Sequence, residues 1–326
     1  MQRRDFIAST IAATALGVSA QAADAPKPII NRIRIVTTAG PDVKTIESWY
    51  TGHLGYKTRE SGKVSAEMAK SWGAPKAAGR DYVLMSSDGS PDVYMRAVAT
   101  DTPAGYAPMT TWGWNSWEII IDKIDEVFAK MKASPFKIIG EPRPLGGNYP
   151  TIHAMQVIGP ANEVLYLTTE TGDRAKSILP PPKSLVDRPF ILVVAHGDSE
   201  VQRNWYADTF QMNRAPINPA AVGIILKAQG LPLDTKGGTI ALLSMNDRGN
   251  MLELDGYVGG SKGPRPRADG QLPPGNSMAT FEVTSLDAIK APFVSPPARL
   301  QGAAYGGKRS AVILGPGGEP VELIET

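Results

Sequence analysis

The chain contains no cysteine, which excludes disulfides, thiolate nucleophiles and thiolate-held metals and leaves packing alone to stabilise it. Histidine is nearly as scarce, with only His53, His153 and His196, so a metal centre built from several imidazoles has few residues to draw on. An excess of one charge is missing too. There are 34 basic and 32 acidic side chains and no dense Lys/Arg run, hence no electrostatic footprint for nucleic acid. The partner expected by default is a small molecule. Beyond residue 22 no apolar run is long enough to span a bilayer, so no stable membrane anchor is expected in the mature chain. A phosphate-cradling glycine loop, a Gly-x-Ser-x-Gly elbow and a His-Glu-x-x-His helix are all absent. Nucleophile-based hydrolysis has no support, and nothing speaks to oligomeric state.

What is present begins with MQRRDFIASTIAATALGVSAQAADAP. Arg3-Arg4, the apolar run Phe6 to Val18 and the small-x-small site Ala20-Gln21-Ala22 give residues 1–22 the form of a twin-arginine signal peptide. The expected mature start is Ala23 and the expected location periplasmic or secreted. The remaining 304 residues suffice for two compact cores of about 150 residues each. SILPPPKSLVDRP (177–189) reads as the linker, because three consecutive prolines favour extended geometry. Residues 23–176 and 190–326 are then the two expected domains.

Similarity across the linker is the most informative feature. RIRIVTTAGPDVKTIESWYTGHLGYK (32–57) and FILVVAHGDSEVQRNWYADTFQMNR (190–214) each read as an apolar strand, an Asp-led turn and a helix carrying Trp-Tyr. Strand candidates follow in both halves, and the pattern restarts at SWEIIIDKIDEVFAKMK (116–132) and SMATFEVTSLDAIKAPF (277–293). The expected fold class is α+β, with four βαβββ modules paired two and two into cup-shaped mixed sheets.

Two segments and two turns carry a resemblance. ESWYTGHLGY (47–56) and QRNWYADTFQ (202–211) resemble the helix segment, and GPANEVLYL (159–167) and GPGGEPVEL (315–323) the strand-entry turn, of the vicinal oxygen chelate superfamily. That superfamily includes glyoxalase I, bleomycin and fosfomycin resistance proteins and extradiol dioxygenases. The resemblance covers nearly all of the mature chain and implies cups whose first and last strands point metal ligands inward. On the last strands, Glu253 and Glu322 match the family's glutamate position, and alternation sends both away from their leucine neighbours. On the first strands, Ile191 and Met278 stand where the family has imidazoles, which weighs against an ordinary ring-cleaving dioxygenase. The cofactor is therefore open. A metal held by Glu253 and Glu322 without imidazole would suit Mg, Ca or Mn better than zinc or iron.

In the first half the matching positions hold Arg32 and Ser116 on first strands and Tyr94 and Tyr166 on last strands, with Arg34, Arg96 and Glu118 on the same faces by alternation. One reading is a structural ion-pair network of Glu118 with the arginines. The other has Arg32, Arg34 and Arg96 gripping an anionic or oxygen-rich ligand while Tyr94 or Tyr166 donates to an enolate or phenolate. His153 is the strand histidine that could serve as general base or be a satisfied core residue. Trp114, in the cluster Trp112, Trp114, Trp117, is a candidate pocket wall. The expected activity is a proton-transfer isomerisation or lyase step on a small oxygenated, possibly aromatic, compound. Alternatives are a sequestering protein of the same fold and a divergent ring-cleaving dioxygenase.

Overall fold

The computed structural model describes residues 27–147 and 149–326. The signal-peptide segment 1–22 lies outside the described residues. The first module runs β1 (Ile30–Gly40), α1 (Val43–His53), β2 (Lys57–Lys63), α2 (Ala66–Ser71), β3 (Asp81–Ser86) and β4 (Tyr94–Ala99). The second is β5 (Gly113–Ile121), α3 (Ile124–Lys132), β6 (Lys137–Gly146), β7 (Tyr149–Ile158) and β8 (Val164–Glu170). The third is β9 (Val186–His196), α4 (Ser199–Phe210), β10 (Asn218–Pro219), α5 (Gly223–Ala228), β11 (Thr239–Ser244) and β12 (Met251–Gly256). The fourth is β13 (Gly275–Val283), β14 (Ala298–Arg299), β15 (Arg309–Leu314) and β16 (Pro320–Glu325). It has turns where the others have their first helix. Pro292 closes the short run after Leu286, and so few residues cannot offset the cost of helix nucleation.

The α+β, two-cup architecture expected from the sequence is present, but the modules pair differently. One eight-stranded sheet runs β14-β15-β16-β13-β1-β4-β3-β2 and joins the fourth module to the first; the other runs β10-β11-β12-β9-β5-β8-β7-β6 and joins the third to the second. Residues 23–176 and 190–326 each contribute to both sheets, so the expected division into sequential domains is replaced by an interleaved one. The linker is also shorter than 177–189, because β9 already starts at Val186. Pro189 is tolerated there because β12 pairs with β9 only from Ile191 onward, leaving the start of β9 hydrogen-bonded on one side.

The helices and the outer faces of both sheets share one core, in which Trp114, Trp117, Phe281, Tyr206 and Phe210 are fully buried. Asp42 and Asp198 cap α1 and α4 through their side chains. Each helix is then bolted across the molecule. Tyr50 Oη donates to Glu163 Oε1 at 3.0 Å, and Tyr206 Oη donates to Glu319 Oε1 at 2.7 Å. Both pairs lie 113 residues apart in sequence, so the tyrosines (206 − 50) and the glutamates (319 − 163) repeat with one offset of 156. These are the tyrosine and turn that recur in the two repeated segments, each linking one sheet to the other. Glycine leaves room for the bolted carboxylate in each turn: a Cβ on Gly159 would lie 2.0 Å from Glu163 Oε1, and one on Gly315 1.9 Å from Glu319 Oε1, so a larger residue would have to displace the glutamate.

Candidate active site

The first cup, formed by modules one and four, is closed by its own side chains. Strand alternation sends Tyr94, Arg96 and Val98 of β4, Met278 and Thr280 of β13 and Glu322 and Ile324 of β16 to the face opposite the shared core. Trp72, at the end of α2, and Tyr305, from the loop before β15, fold over them. Glu322, the carboxylate at the family's ligand position, accepts four bonds: Trp72 Nε1 at 2.7 Å, Tyr305 Oη at 2.8 Å, Arg96 at 2.9 Å and Thr280 Oγ1 at 2.6 Å. Arg96 is 1 % exposed and also donates to Thr37 Oγ1 and Tyr305 Oη, with its guanidinium 4.6 Å from the Trp72 ring centre. Every strong lone pair of Glu322 is used, so it has none to give a metal. Tyr94 packs in the same apolar cluster, below the Arg34 guanidinium.

Arg32 and Arg34 are likewise occupied. Arg32 pairs with Glu282 at 2.8 Å and Asp92 at 2.6 Å; Arg34 approaches Glu282 at 3.5 Å and donates to the Asp92 and Ala304 carbonyls. The expected grip of three arginines on a ligand is thus a set of internal bonds. The ion-pair partners are Glu322 and Glu282 and not the expected Glu118, which belongs to the other sheet.

The second cup, formed by modules two and three, has the opposite electrostatics. Leu165 and Leu167 of β8, Trp117 and Ile119 of β5, Leu192 and Val194 of β9 and Leu252 and Leu254 of β12 face the shared core. Alternation therefore turns Tyr166 and Thr168, Ser116 and Glu118, Ile191 and Val193, and Glu253 and Asp255 into the cup. The register sets Tyr166 beside Glu118, Glu118 beside Ile191, and Glu253 beside Val193. Glu118, Glu253 and Asp255 face this cup near enough for Glu118 to act on both others by charge, and none of the three forms an ion pair among the described residues. Glu118 Oε1 accepts from Thr168 Oγ1 at 2.6 Å, and Asp255 Oδ2 is met only by Asn115 Nδ2 at 3.4 Å. Asp255 Oδ1, Tyr257 Oη and Asn115 Oδ1 are buried with no hydrogen-bond partner among the described residues. Asp255 and Tyr257 also line a small cavity with Ile225, Gln229 and Thr239.

Burial sets the protonation of this cluster. Desolvation pushes Glu118 up to about 7, the bond from Thr168 opposing it. Desolvation also takes Asp255 to about 7, with Asn115 pulling down and the Glu118 charge pushing up. Glu253 is raised well above the usual range by desolvation first and then by Asp255 and Glu118. Burial and the neighbouring carboxylates keep Tyr166 a neutral donor. Groups that share protons near neutral pH are the equipment of general acid–base chemistry.

The structure thus gathers Glu118, Tyr166 and Glu253 and separates the remaining candidates. Glu253 and Glu322, expected as a possible pair of metal ligands, stand in different sheets. His153 lies on the face it shares with Met155 and Val157, away from the cup, with Nδ1 near the Thr151 carbonyl and Thr171 Oγ1, each at 3.2 Å. It is neither a core residue nor a base beside the tyrosines. Trp114 sits in the shared core, its Nε1 donating to the Pro320 carbonyl; it walls neither cup but lines, with Trp112, a separate cavity. Asp255 joins Glu118, Tyr166 and Glu253 from outside the sequence candidates, although alternation from Glu253 in MLELDG places it on the same face. Trp72 and Tyr305 come from a helix end and a loop, where no periodicity points inward.

The fold family's metal does not fit these residues. The four matching positions hold Ile191, Ser116, Tyr166 and Glu253 in the second cup, and Arg32, Tyr94, Met278 and a saturated Glu322 in the first. Among the described residues no three His, Asp or Glu side chains form a metal-binding group.

No family model and no curated protein sequence matches the chain. Solved structures do. A single-substitution variant of Zea mays glyoxalase I superposes with a TM-score of 0.59 at 15% identity, covering 90% of this chain and 92% of that one. Zea mays glyoxalase I gives 0.57 at 14%, covering 90% and 92%. A candidate dioxygenase from Bacillus subtilis gives 0.59 at 9%, covering 92% and 86%. The chain therefore has the vicinal oxygen chelate fold in its four-module form. At these identities the likeness extends to the fold and not to the reaction.

Proposed function

We propose that the protein is an exported enzyme that moves a proton within a small oxygenated compound, an isomerisation or lyase step, in the second cup. The observation that carries this reading is the cluster of buried Glu118 and Asp255 with half-buried Glu253, which has no cationic partner among the described residues and is flanked by Tyr166 and Tyr257. A structural role would be better served by apolar residues, because buried unpaired carboxylates are costly. Glu253, with its strongly raised pKa, is the acid that delivers a proton to a carbonyl or leaving oxygen. Glu118 or Asp255, poised near 7, takes one from carbon, and the Tyr166 hydroxyl donates to the oxygen that gains charge. Glu118 and Asp255, partly ionised near neutral pH, disfavour an anion, so the substrate is neutral or cationic, in contrast to the anionic ligand that the arginines suggested. No step is routed through a metal.

The test is proton NMR in D2O with a panel of neutral hydroxyketones and lactones. Loss of the proton next to the carbonyl should require protein, and E118Q and E253Q should each slow it at least a hundredfold. Exchange that is unaffected by both substitutions would sink the assignment. The lack of imidazole at the ligand positions favours a second reading, sequestration without turnover. Thermal stabilisation by a panel member with no exchange would select it. Export rests on Arg3-Arg4 and the apolar run after them; replacing both arginines by lysine should leave the protein in the cytoplasm.

A further inference from the structure

The two Tyr–Glu bolts are copies of one device, and their surroundings differ. β13 and β5 each begin at a left-handed glycine, Gly275 at φ 74° and Gly113 at φ 100°. Against Gly275 lies the ring of Tyr106, so close that a Cβ there would stand 1.9 Å from its hydroxyl, which donates to the Asn162 carbonyl at 3.3 Å. The adjacent Glu163 is satisfied at both oxygens, by Tyr50 and by the Ala161 amide at 2.8 Å.

In the other copy, Gly113 takes the place of Gly275, and Gly318 the place of Asn162 by the offset of 156. No side chain among the described residues stands in for Tyr106. Gly113 and Gly318 instead line a cavity of about 210 Å³ with Trp112, Arg265, Arg267 and Glu319. Glu319 is 3 % exposed; Tyr206 holds its Oε1, and among the described residues its Oε2 has no partner of good hydrogen-bond geometry, although the Gly317 amide lies near enough to favour the carboxylate. Arg265 separates the two copies, with its guanidinium 5.2 Å from the Tyr106 ring centre and its side chain also lining the cavity. Arg267, exposed at the rim, makes no hydrogen bond or ion pair among the described residues.

We propose that this cavity, separate from the second cup, binds a monocyclic phenol bearing a carboxylate. The ring occupies the position that Tyr106 fills in the other copy, between Trp112 and the Arg265 guanidinium, where stacking and cation–π attraction favour it. The hydroxyl reaches Glu319 Oε2, giving that buried oxygen a well-aligned hydroxyl donor. The carboxylate meets Arg267 at the rim, where a guanidinium forks onto it.

Equilibrium dialysis of the full chain with 4-hydroxybenzoate, phenol and benzoate tests this. One equivalent of 4-hydroxybenzoate should bind at least tenfold more tightly than phenol or benzoate. R267A should cost about tenfold for 4-hydroxybenzoate and leave phenol unchanged, and Y106A, which opens the other copy, should take up a second equivalent of phenol. No saturable binding to the wild type, or binding that R267A leaves intact, would overturn the proposal. So would binding abolished by E118Q, because that would place the ligand in the cup. R267A and E118Q carry the test if Y106A does not fold.

Discussion

Replacing Glu118 by glutamine should make the protein more stable at high pH while removing its activity. The side chain is 6 % exposed and its only hydrogen bond among the described residues is from Thr168 Oγ1, which the glutamine carbonyl can still accept. Burial raises its pKa from 4.5 to about 7. Because the folded-state value is the higher one, the stability this group contributes is fully present below pH 4.5 and is lost as pH rises through about 7. The gap of about 2.5 units corresponds to roughly 3 kcal/mol once the carboxyl is ionised, of which less than about 1 kcal/mol is already lost at pH 5. The stability of E118Q relative to wild type should therefore rise by about 2.5 kcal/mol between pH 5 and pH 8. Removing the Glu118 charge also relieves Asp255 and Glu253, adding to the gain at pH 8. Urea unfolding at the two pH values measures this directly. A difference between variant and wild type that stays the same at both would refute the raised pKa and, with it, the acid–base role drawn from it.

Three further outcomes are expected. E322A leaves Arg96 buried without its carboxylate and should cost about 3–5 kcal/mol in urea unfolding, against little effect for the rim variant D92A. Y50F and Y206F each remove one bolt and should cost about 1–3 kcal/mol apiece, nearly additively, since each leaves a buried glutamate short of a donor. Dialysis against a chelator should change neither melting temperature nor turnover, and stoichiometric zinc or iron in the purified protein would contradict the donor set of both cups.

The architecture was legible because it is written four times over. Strand parity alone placed Tyr94, Arg96, Tyr166, Glu118, Glu253 and Glu322 in cups, since side chains alternate across any strand whose leucines are buried. Module pairing was not legible. An exposed edge of β1 can accept β5 or β13 equally well by pattern, and the choice lies in tertiary contacts such as Tyr50 with Glu163. With pairing unknown, Glu253 and Glu322 looked like partners and Glu118 looked close to arginines. The closing of the first cup was hidden as well, because Trp72 and Tyr305 arrive from segments with no periodic signal. His153 failed for a simpler reason: one residue of register moves a strand side chain to the other face.

The interleaved pairing also sets a timetable for folding. Ile35 of β1 pairs with Thr280 of β13, so that edge waits for 245 residues of further synthesis, about 12–50 s at ordinary elongation rates. Until then the first module presents an open, apolar strand to whatever is near. Contacts this distant in sequence also slow the search for the native state. The newborn chain is therefore a client for chaperones across its whole length, and a truncated first half should aggregate or pair with another copy of itself.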